Sequence, residues 1–395
     1  MTTTSAPARS RVTHWVTGAA IVAVTAAFAA GLDAAAPRVG RLLPDYTEVQ
    51  GHAFADVIGF LRWVLGDTTE AVFFKSALGG IGMIAGAWIA HLAWRRGRRL
   101  GFPLAAGTGL FPSMFAAAAL GLVLSNLLWG WTVPASGGWQ PTFVAFVAVP
   151  AAVVLVYGAG WRVAVTGAVL GAVLNTPVAL VVVNYFCLPL DLPTVIGNVT
   201  GMWGGALLAF LLCRRLPWLR RPAPADPPAD GPQPAPERHG PVWMVRRVLA
   251  DFTEAPFYGN EIASIGLLLG TVLAFLLNPA NPVYGDGVLP AMLTAQVATS
   301  TLGVLLYRSR WIARGWYPTF VPVVSVAPAT VLTYGAGVHT VVAGAVVGAL
   351  IGPPVAAWIS ERLPSDFHPF IGNVVSMAVG TLVAVPVLGL LPGFG

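Results

Sequence analysis

The chain has 395 residues, of which 56% are hydrophobic and only 10% are charged, and its mean hydropathy is +0.75. Soluble domains carry roughly 25% charged residues, so this composition excludes an ordinary soluble domain and predicts an integral membrane protein. The net charge of +6 comes from arginines in short segments between apolar runs. Such arginines are typical topology signals of membrane proteins and do not indicate a nucleic-acid surface.

The first apolar stretch, residues 15–32, follows Arg9 and Arg11. It has the basic flank of a signal peptide, but it exceeds the usual length of a signal-peptide core and favours a retained helix. We therefore predict that residues 1–52 contain a cytoplasmic N-terminus, one transmembrane helix and an external loop.

The rest of the chain contains an internal repeat. Residues 62–82 (RWVLGDTTEAVFFKSALGGIG) return as residues 246–266 (RRVLADFTEAPFYGNEIASIG). Later segments also return, in the same order: 107–112 as 285–290, 138–143 as 315–320, 157–160 as 334–337, 167–171 as 344–348, and 196–199 as 371–374. Duplicated units in an apolar chain are typical of transporters.

The repeat defines unit one as residues 53–221 and unit two as residues 242–395. Between them, residues 222–241 are rich in Pro and Ala and predict an extended cytoplasmic linker. Each unit opens with an amphipathic stretch, 54–65 and 242–252, which we expect along the membrane surface. A lipid-facing brace and a gate or dimer contact are both open interpretations of these stretches.

Each unit contains five apolar runs of helix length. The predicted spans are 71–93, 111–131, 141–158, 163–185 and 194–214 in unit one, and 258–278, 289–307, 318–335, 339–358 and 370–391 in unit two. An odd number of crossings per unit inverts the second copy in the membrane. The sequence thus predicts an all-α polytopic protein with about 11 transmembrane helices.

The arginines support this inversion, because equivalent loops have opposite charge. The loop at 131–140 has no Lys or Arg, whereas its counterpart contains Arg308, Arg310 and Arg314. Residues 95–99 hold four arginines, and their counterpart at 278–287 has none. By the positive-inside rule, the N-terminus and linker lie in the cytoplasm and the C-terminus outside the cell membrane.

Helix breaks at matching positions provide candidate substrate-binding residues. Gly197-Asn198 and Gly372-Asn373 open the fifth helix of each unit after a proline, where free backbone N–H groups point toward a ligand. A tight packing turn with Asn as a helix cap is the structural alternative.

Two further pairs of breaks are candidates. Thr108 and Asp286 lie in Gly-x-Gly segments before the second helices, which predict either a re-entrant segment or a simple loop. Asn175 and the prolines at 177, 353 and 354 interrupt the fourth helices, where a freed carbonyl could face a substrate path or where the helix merely kinks.

The candidate ion-coupling residues are Glu261, Asn260 and Lys75. A carboxylate near hydrocarbon is costly and usually functional, so Glu261 is expected to bind a proton or Na⁺, with an interfacial position as the alternative. Lys75 is interpreted as an interfacial anchor, with an ion partner or substrate contact as the alternative. The repeated acids Asp67, Glu70, Asp251 and Glu254 are interpreted as helix caps, and the repeated tryptophans Trp139 and Trp316 as interfacial anchors. Histidines at metal-ligand spacing are absent from the sequence, so we predict no metal and no cofactor, and Cys187 and Cys213 are given no role.

One segment resembles a known family. Residues 139–162, from Trp139-Gln-Pro-Thr-Phe143 to Tyr157-Gly-Ala-Gly-Trp-Arg162, are similar to part of the membrane subunits of ascorbate- and galactitol-type phosphotransferase permeases. The resemblance implies inverted five-helix units and an elevator-type, usually dimeric carrier of a sugar-like solute. The present chain departs from the family in its long Pro/Ala linker and in lacking an evident phosphorylatable domain, and no substrate residues are carried over.

The sequence therefore favours a secondary transporter that moves a small polar solute by alternating access, with a proton or Na⁺ as the coupling ion and membrane lipid and a second copy as partners. The alternatives are a phosphotransferase-type permease subunit, a passive channel and a membrane-embedded lipid-modifying enzyme. An enzyme is the less favoured of these, because only scattered acids such as Asp45 and Glu48 lie in a loop.

Overall fold

A computed structural model describes residues 6–222 and 239–394, and the described residues form helices and turns without strands. Eight helices are long and apolar enough to cross a membrane, which agrees with the predicted membrane protein. Three further apolar helices, 142–157, 261–277 and 321–334, are shorter than the roughly 20 residues that a perpendicular crossing needs. Most of the predicted linker lies outside the described residues.

The N-terminal segment and unit one contribute ten α-helices. These are α1 (Ala6–Ala35), α2 (Tyr46–Gly51), α3 (Val57–Asp67), α4 (Ala77–Arg95), α5 (Phe111–Trp129), α6 (Thr132–Ser136), α7 (Val149–Tyr157), α8 (Trp161–Leu170), α9 (Thr176–Val182) and α10 (Val195–Cys213). Between α8 and α9, residues 171–175 form a π-helical turn, so that one apolar helix runs through residues 161–190.

Unit two contributes six α-helices. These are α11 (Pro241–Asp251), α12 (Glu261–Leu277), α13 (Leu289–Arg314), α14 (Val326–Tyr334), α15 (Val338–Ser360) and α16 (Phe370–Gly389). The predicted break in the fourth helix is wrong here, because Pro353 and Pro354 lie inside the continuous helix α15.

The third helix of each unit is broken. A 3₁₀ turn at Thr142–Ala145 precedes α7, and a 3₁₀ turn at Val321–Val324 precedes α14. Both segments are almost completely buried, so these short helices lie in the interior of the molecule. The continuous third spans predicted from hydropathy are therefore replaced by half-helices with an irregular start.

Helices α4 and α12 cross at two glycines. Gly82 and Gly266 face each other so closely that a Cβ atom on either would overlap the carbonyl oxygen of the other. This crossing joins the first helix of unit one to the first helix of unit two. It brings the segments that precede these helices into the centre of the molecule.

Candidate functional site

A cavity of about 960 Å³ is lined by residues from both units. This volume lies in the range typical of small-molecule sites. Much of the lining consists of residues that the sequence repeat makes equivalent. The pairs include Glu70 with Glu254, Phe73 with Phe257, Trp139 with Trp316, Phe143 with Phe320, Asn198 with Asn373, and Met202 with Met377.

The unit-one side of the cavity contains a buried charge cluster. Lys75 pairs with Asp67, and its Nζ lies 2.5 Å from Glu70 Oε2. Trp139 donates its indole N–H to Glu70, and Thr142 donates its hydroxyl to Asp67 at 2.8 Å. The side chains of Lys75, Asp67 and Glu70 are at most 1% exposed. Their ion pairs and these hydrogen bonds therefore replace the contacts with water that the charged groups lose on burial.

Unit two repeats the cluster with a different cation. Arg247 Nη2 lies 2.7 Å from Asp251 Oδ1 and 2.8 Å from Glu254 Oε2. Trp316 donates its indole N–H to Glu254 at 2.7 Å, and Thr319 donates its hydroxyl to Asp251 at 3.1 Å. The two acids, the tryptophan and the threonine thus have the same partners in both units.

The cations occupy positions that are not equivalent in the repeat. Lys75 aligns with Gly259, whereas Arg247 aligns with Trp63. Lys75 and Gly259 both have left-handed backbones, with φ of 46° and 55°. Lys75 Nζ lies 3.5 Å from the centre of the Trp63 ring. The ammonium group of unit one therefore contacts the residue that is equivalent to Arg247 in unit two. Each unit therefore keeps one cation for two carboxylates.

Asn198 and Asn373 line the cavity and lack intramolecular partners. They are 6% and 5% exposed, and neither side-chain carbonyl oxygen accepts a hydrogen bond from a described residue. Each lies in the first turns of its helix, α10 or α16, and neither caps it. Both oxygens are enclosed by protein, so other atoms of the two residues line the cavity.

The Gly-x-Gly segments also reach the cavity. Thr108 and Asp286 line it, next to 3₁₀ turns at Leu104–Gly107 and Val283–Gly285. Ala106 and its equivalent Tyr284 have φ of 52° and 59°, a left-handed conformation that costs energy in non-glycine residues. These segments are loops before α5 and α13, and the described backbone contains no re-entrant helix there.

Other predicted substrate residues do not line the cavity. Gly197 packs against Val183 and Gly372 against Ser360, where a side chain would collide. Asn175 donates hydrogen bonds to the carbonyls of Gly201 and Met202, at 2.9 and 3.0 Å. The positions of these three residues correspond to helix packing.

None of the three predicted ion-coupling residues lines the cavity. Glu261 is the first residue of α12, where it pairs with Arg246 at 2.5 Å and accepts a hydrogen bond from the Phe102 amide at 2.6 Å. Asn260 is the helix N-cap and accepts hydrogen bonds from the amides of residues 262 and 263. Lys75 is buried in the cluster of unit one, where it pairs with the lining residue Glu70, so its interpretation as an interfacial anchor is wrong.

Sequence analysis missed the groups at the centre of the site. The helix caps of α4 and α12 are Ser76 and Asn260, so the interpretation of the four repeated acids as caps of these helices is wrong. Trp139 and Trp316 lie at the cavity beside Glu70 and Glu254, so their interpretation as interfacial anchors is also wrong. The recurrence of these acids and tryptophans in both units indicates a shared role. The sequence does not pair them, because each tryptophan is distant in sequence from the glutamate that it contacts.

Burial shifts the pKa values of several groups at the cavity that lie outside the long helices, among them Glu70, His368 and Asp286. Burial raises the pKa of Asp286. Desolvation raises the pKa of Glu70 to about 8, although Lys75 opposes the shift. Desolvation lowers the pKa of His368 to about 4. The His368 Nδ1 accepts the Phe370 amide at 3.1 Å, as a neutral imidazole can.

No protein-family model matches the chain, and no curated protein matches it in sequence.

Proposed function

We propose that the protein is a small-solute secondary transporter that works by alternating access at the cavity between its two units. The observation that carries this proposal is the lining of that cavity, to which equivalent residues of the two units contribute. Asn198 and Asn373, which are equivalent in the repeat, both line it. Repeated units around one central site are the usual design of secondary transporters.

The membrane arrangement is part of the same proposal. Eight long apolar helices and three shorter ones would give 11 crossings, with the second unit inverted relative to the first. The proposed orientation places the arginine-rich loops, the N-terminus and the linker in the cytoplasm. The resemblance to phosphotransferase permeases adds a dimer and an elevator-type movement to this proposal.

The coupling ion, a proton or Na⁺, is proposed to bind at the charge clusters instead of at Glu261. Glu70 and Glu254 line the cavity, and each shares its single cation with a second carboxylate. A positive ion that binds at either cluster would reduce its net negative charge and would therefore be stabilised there.

Flux in proteoliposomes tests the proposal. Sugars, carboxylates, nucleosides and organic cations are offered with and without proton and Na⁺ gradients, and counterflow is measured for each solute. We expect saturable counterflow that falls at least tenfold in Asn198→Ala and in Asn373→Ala. The control Asn281→Ala, in a loop outside the cavity lining, should leave the flux unchanged.

The outcomes separate the proposal from its alternatives. Non-saturable flux without counterflow would indicate a channel, and flux that requires a phosphorylating partner would indicate a phosphotransferase subunit. Absence of flux for every solute in vesicles that contain folded protein would contradict the transporter and favour an enzyme.

A further inference from the structure

The groups around the cavity leave an excess of negative charge at the unit-two cluster and at Asp286, because the raised pKa of Glu70 keeps that carboxyl group largely protonated at neutral pH and leaves Lys75 balanced by Asp67. In each unit, two carboxyl groups share one cation, Lys75 in unit one and Arg247 in unit two. Asp286 adds a carboxylate at the same cavity and forms no ion pair with any described residue. Of the described lining residues, only Arg247 and His368 are basic, and His368 is held as a neutral acceptor.

The two units supply their single cations from different positions in the repeat. Lys75 and Arg247 come from positions that are not equivalent in the repeat, yet each cluster contains one cation for two acids. Both units therefore hold two carboxyl groups for one cation, and the excess negative charge lies at the unit-two cluster and at Asp286.

Aromatic rings surround both clusters. Tyr46 and Tyr284 pack edge to face at 5.7 Å between ring centres, and Trp139 packs against Tyr284 at 6.5 Å, beside Glu70. At the other cluster, Arg247 lies 4.9 Å from the Trp311 ring. The faces of aromatic rings attract cations, most strongly where water is excluded.

We propose that the cavity binds a lipophilic organic monocation, held by the aromatic faces and by the carboxylates of Glu254 and Asp286. This inference rests on the proposed function and names the class of its solute. An anion would enter a field of uncompensated carboxylates, which repels it. A sugar needs many free polar partners, but lining groups such as Gln140 and Asn184 already bond to each other.

Binding of two probes of equal shape and opposite charge tests the inference. Tetraphenylphosphonium and tetraphenylborate are titrated into the purified full chain in detergent by calorimetry. We expect saturable binding of one phosphonium ion per chain and at least tenfold weaker binding of the borate. Equal binding of both ions, or tighter binding of the borate, would overturn the inference.

Charge-removing variants locate the site. Asp286→Asn should weaken phosphonium binding about tenfold without breaking an ion pair, and Glu254→Gln should do the same or more. The control Glu361→Gln changes an exposed carboxylate that does not line the cavity, and it should bind like the unmodified protein. Unchanged binding in Asp286→Asn together with Glu254→Gln would contradict the site.

The result can be told apart from failure of the proposed transport. Phosphonium binding with no flux of any solute would retain the cation site and contradict the transporter. Flux of neutral or anionic solutes without phosphonium binding would retain the transporter and contradict the cation site.

Discussion

At the residue scale, the two charge clusters have the same arrangement of two acids, a tryptophan, a threonine and one cation, although the two units differ in sequence at the cation. Asp67 and Asp251, Glu70 and Glu254, and their tryptophans and threonines correspond in the repeat, whereas the cations do not. A buried carboxylate pair without a cation would be strongly destabilising. Each unit therefore requires one cation, but the cation comes from a different position of the repeat in each unit.

Transplanting the cation tests this requirement. Lys75→Gly leaves Asp67 and Glu70 buried without their cation and should destabilise the protein by about 3–5 kcal/mol. The double variant Trp63→Arg with Lys75→Gly copies the arrangement of unit two, and it should recover a large part of that loss. Thermal unfolding in detergent measures both effects.

Trp63→Arg alone completes the comparison. It adds a second buried cation and removes the indole hydrogen bond to Thr142, so it should destabilise the protein. The double variant should then be more stable than the sum of the two single changes predicts. Strictly additive losses would contradict a shared role for the two cation positions.

His368 predicts an acid-sensitive stability. Its pKa is lowered from 6.5 to about 4, so the unfolded chain binds more protons than the folded chain between these values. Stability from the neutral imidazole is present above pH 6.5 and is lost as the pH falls toward 4. Unfolding temperatures measured across this range should decline less in His368→Gln than in the unmodified protein.

The exposed His52 supplies a matched control for this measurement. His52→Gln should leave the pH dependence of the unfolding temperature as it is in the unmodified protein. An equal decline in His368→Gln would show that other groups cause the acid sensitivity.

Sequence patterns located some of these residues but not their partners. Asn198, Asn373, Thr108 and Asp286 were predicted from helix breaks, which are local features, and all four line the cavity. The clusters were missed because Glu70 meets Trp139 only through a contact across 69 residues. An acid just before an apolar helix predicts a helix cap from local sequence alone. In the folded protein these acids instead pair with cations and with residues that are distant in sequence.

At the element scale, the crossing of α4 and α12 holds the site together. Close contact of the two backbones at Gly82 and Gly266 requires residues without side chains. The segments at 67–75 and 251–259 lead directly into these helices, so the crossing sets the distance between the two clusters.

Adding one methyl group at the crossing should disrupt it. Gly266→Ala places a Cβ atom against the Gly82 backbone, and we expect a loss of about 1–3 kcal/mol or more from overpacking. The control Gly204→Ala lies in α10, where a Cβ would meet its nearest neighbour, Val178, at an ordinary 3.6 Å. Thermal unfolding of both variants gives the comparison, and equal stability would contradict the crossing as a close backbone contact.

Hydropathy predicted the helices better than their interruptions. The bounds of α5, α10 and α16 agree closely with the predicted spans, because these helices are apolar throughout. The 3₁₀ turns before α7 and α14 were missed because Val, Ala and Phe are equally apolar in a helix or in a buried turn. Apolar composition predicts that a segment is buried, but the packing around the segment decides whether it forms a continuous helix or a 3₁₀ turn.

At the scale of the whole molecule, the proposed inversion makes opposite predictions for two equivalent segments. Ala135→Cys, in the short helix α6 after the second helix of unit one, and Ser309→Cys, in the last turns of α13, place thiols at exposed positions. In intact cells, an impermeant thiol reagent should label Ala135→Cys and spare Ser309→Cys. Both native cysteines are buried and are replaced by alanine for this experiment. Labelling of both thiols from one side would contradict inverted repeats.

The central claim, that one cavity is reached alternately from the two faces of the membrane, is tested most directly at a buried pair of lining residues. Val199→Cys and Val374→Cys occupy equivalent positions in the cavity and are conservative in size. Each is labelled with an impermeant reagent in right-side-out and in inside-out vesicles, with and without a bound cation or an imposed gradient. We predict that each thiol is reached from both faces, and that any condition that raises labelling from one face lowers it from the other. Labelling from a single face only, or parallel changes at both faces, would contradict alternating access.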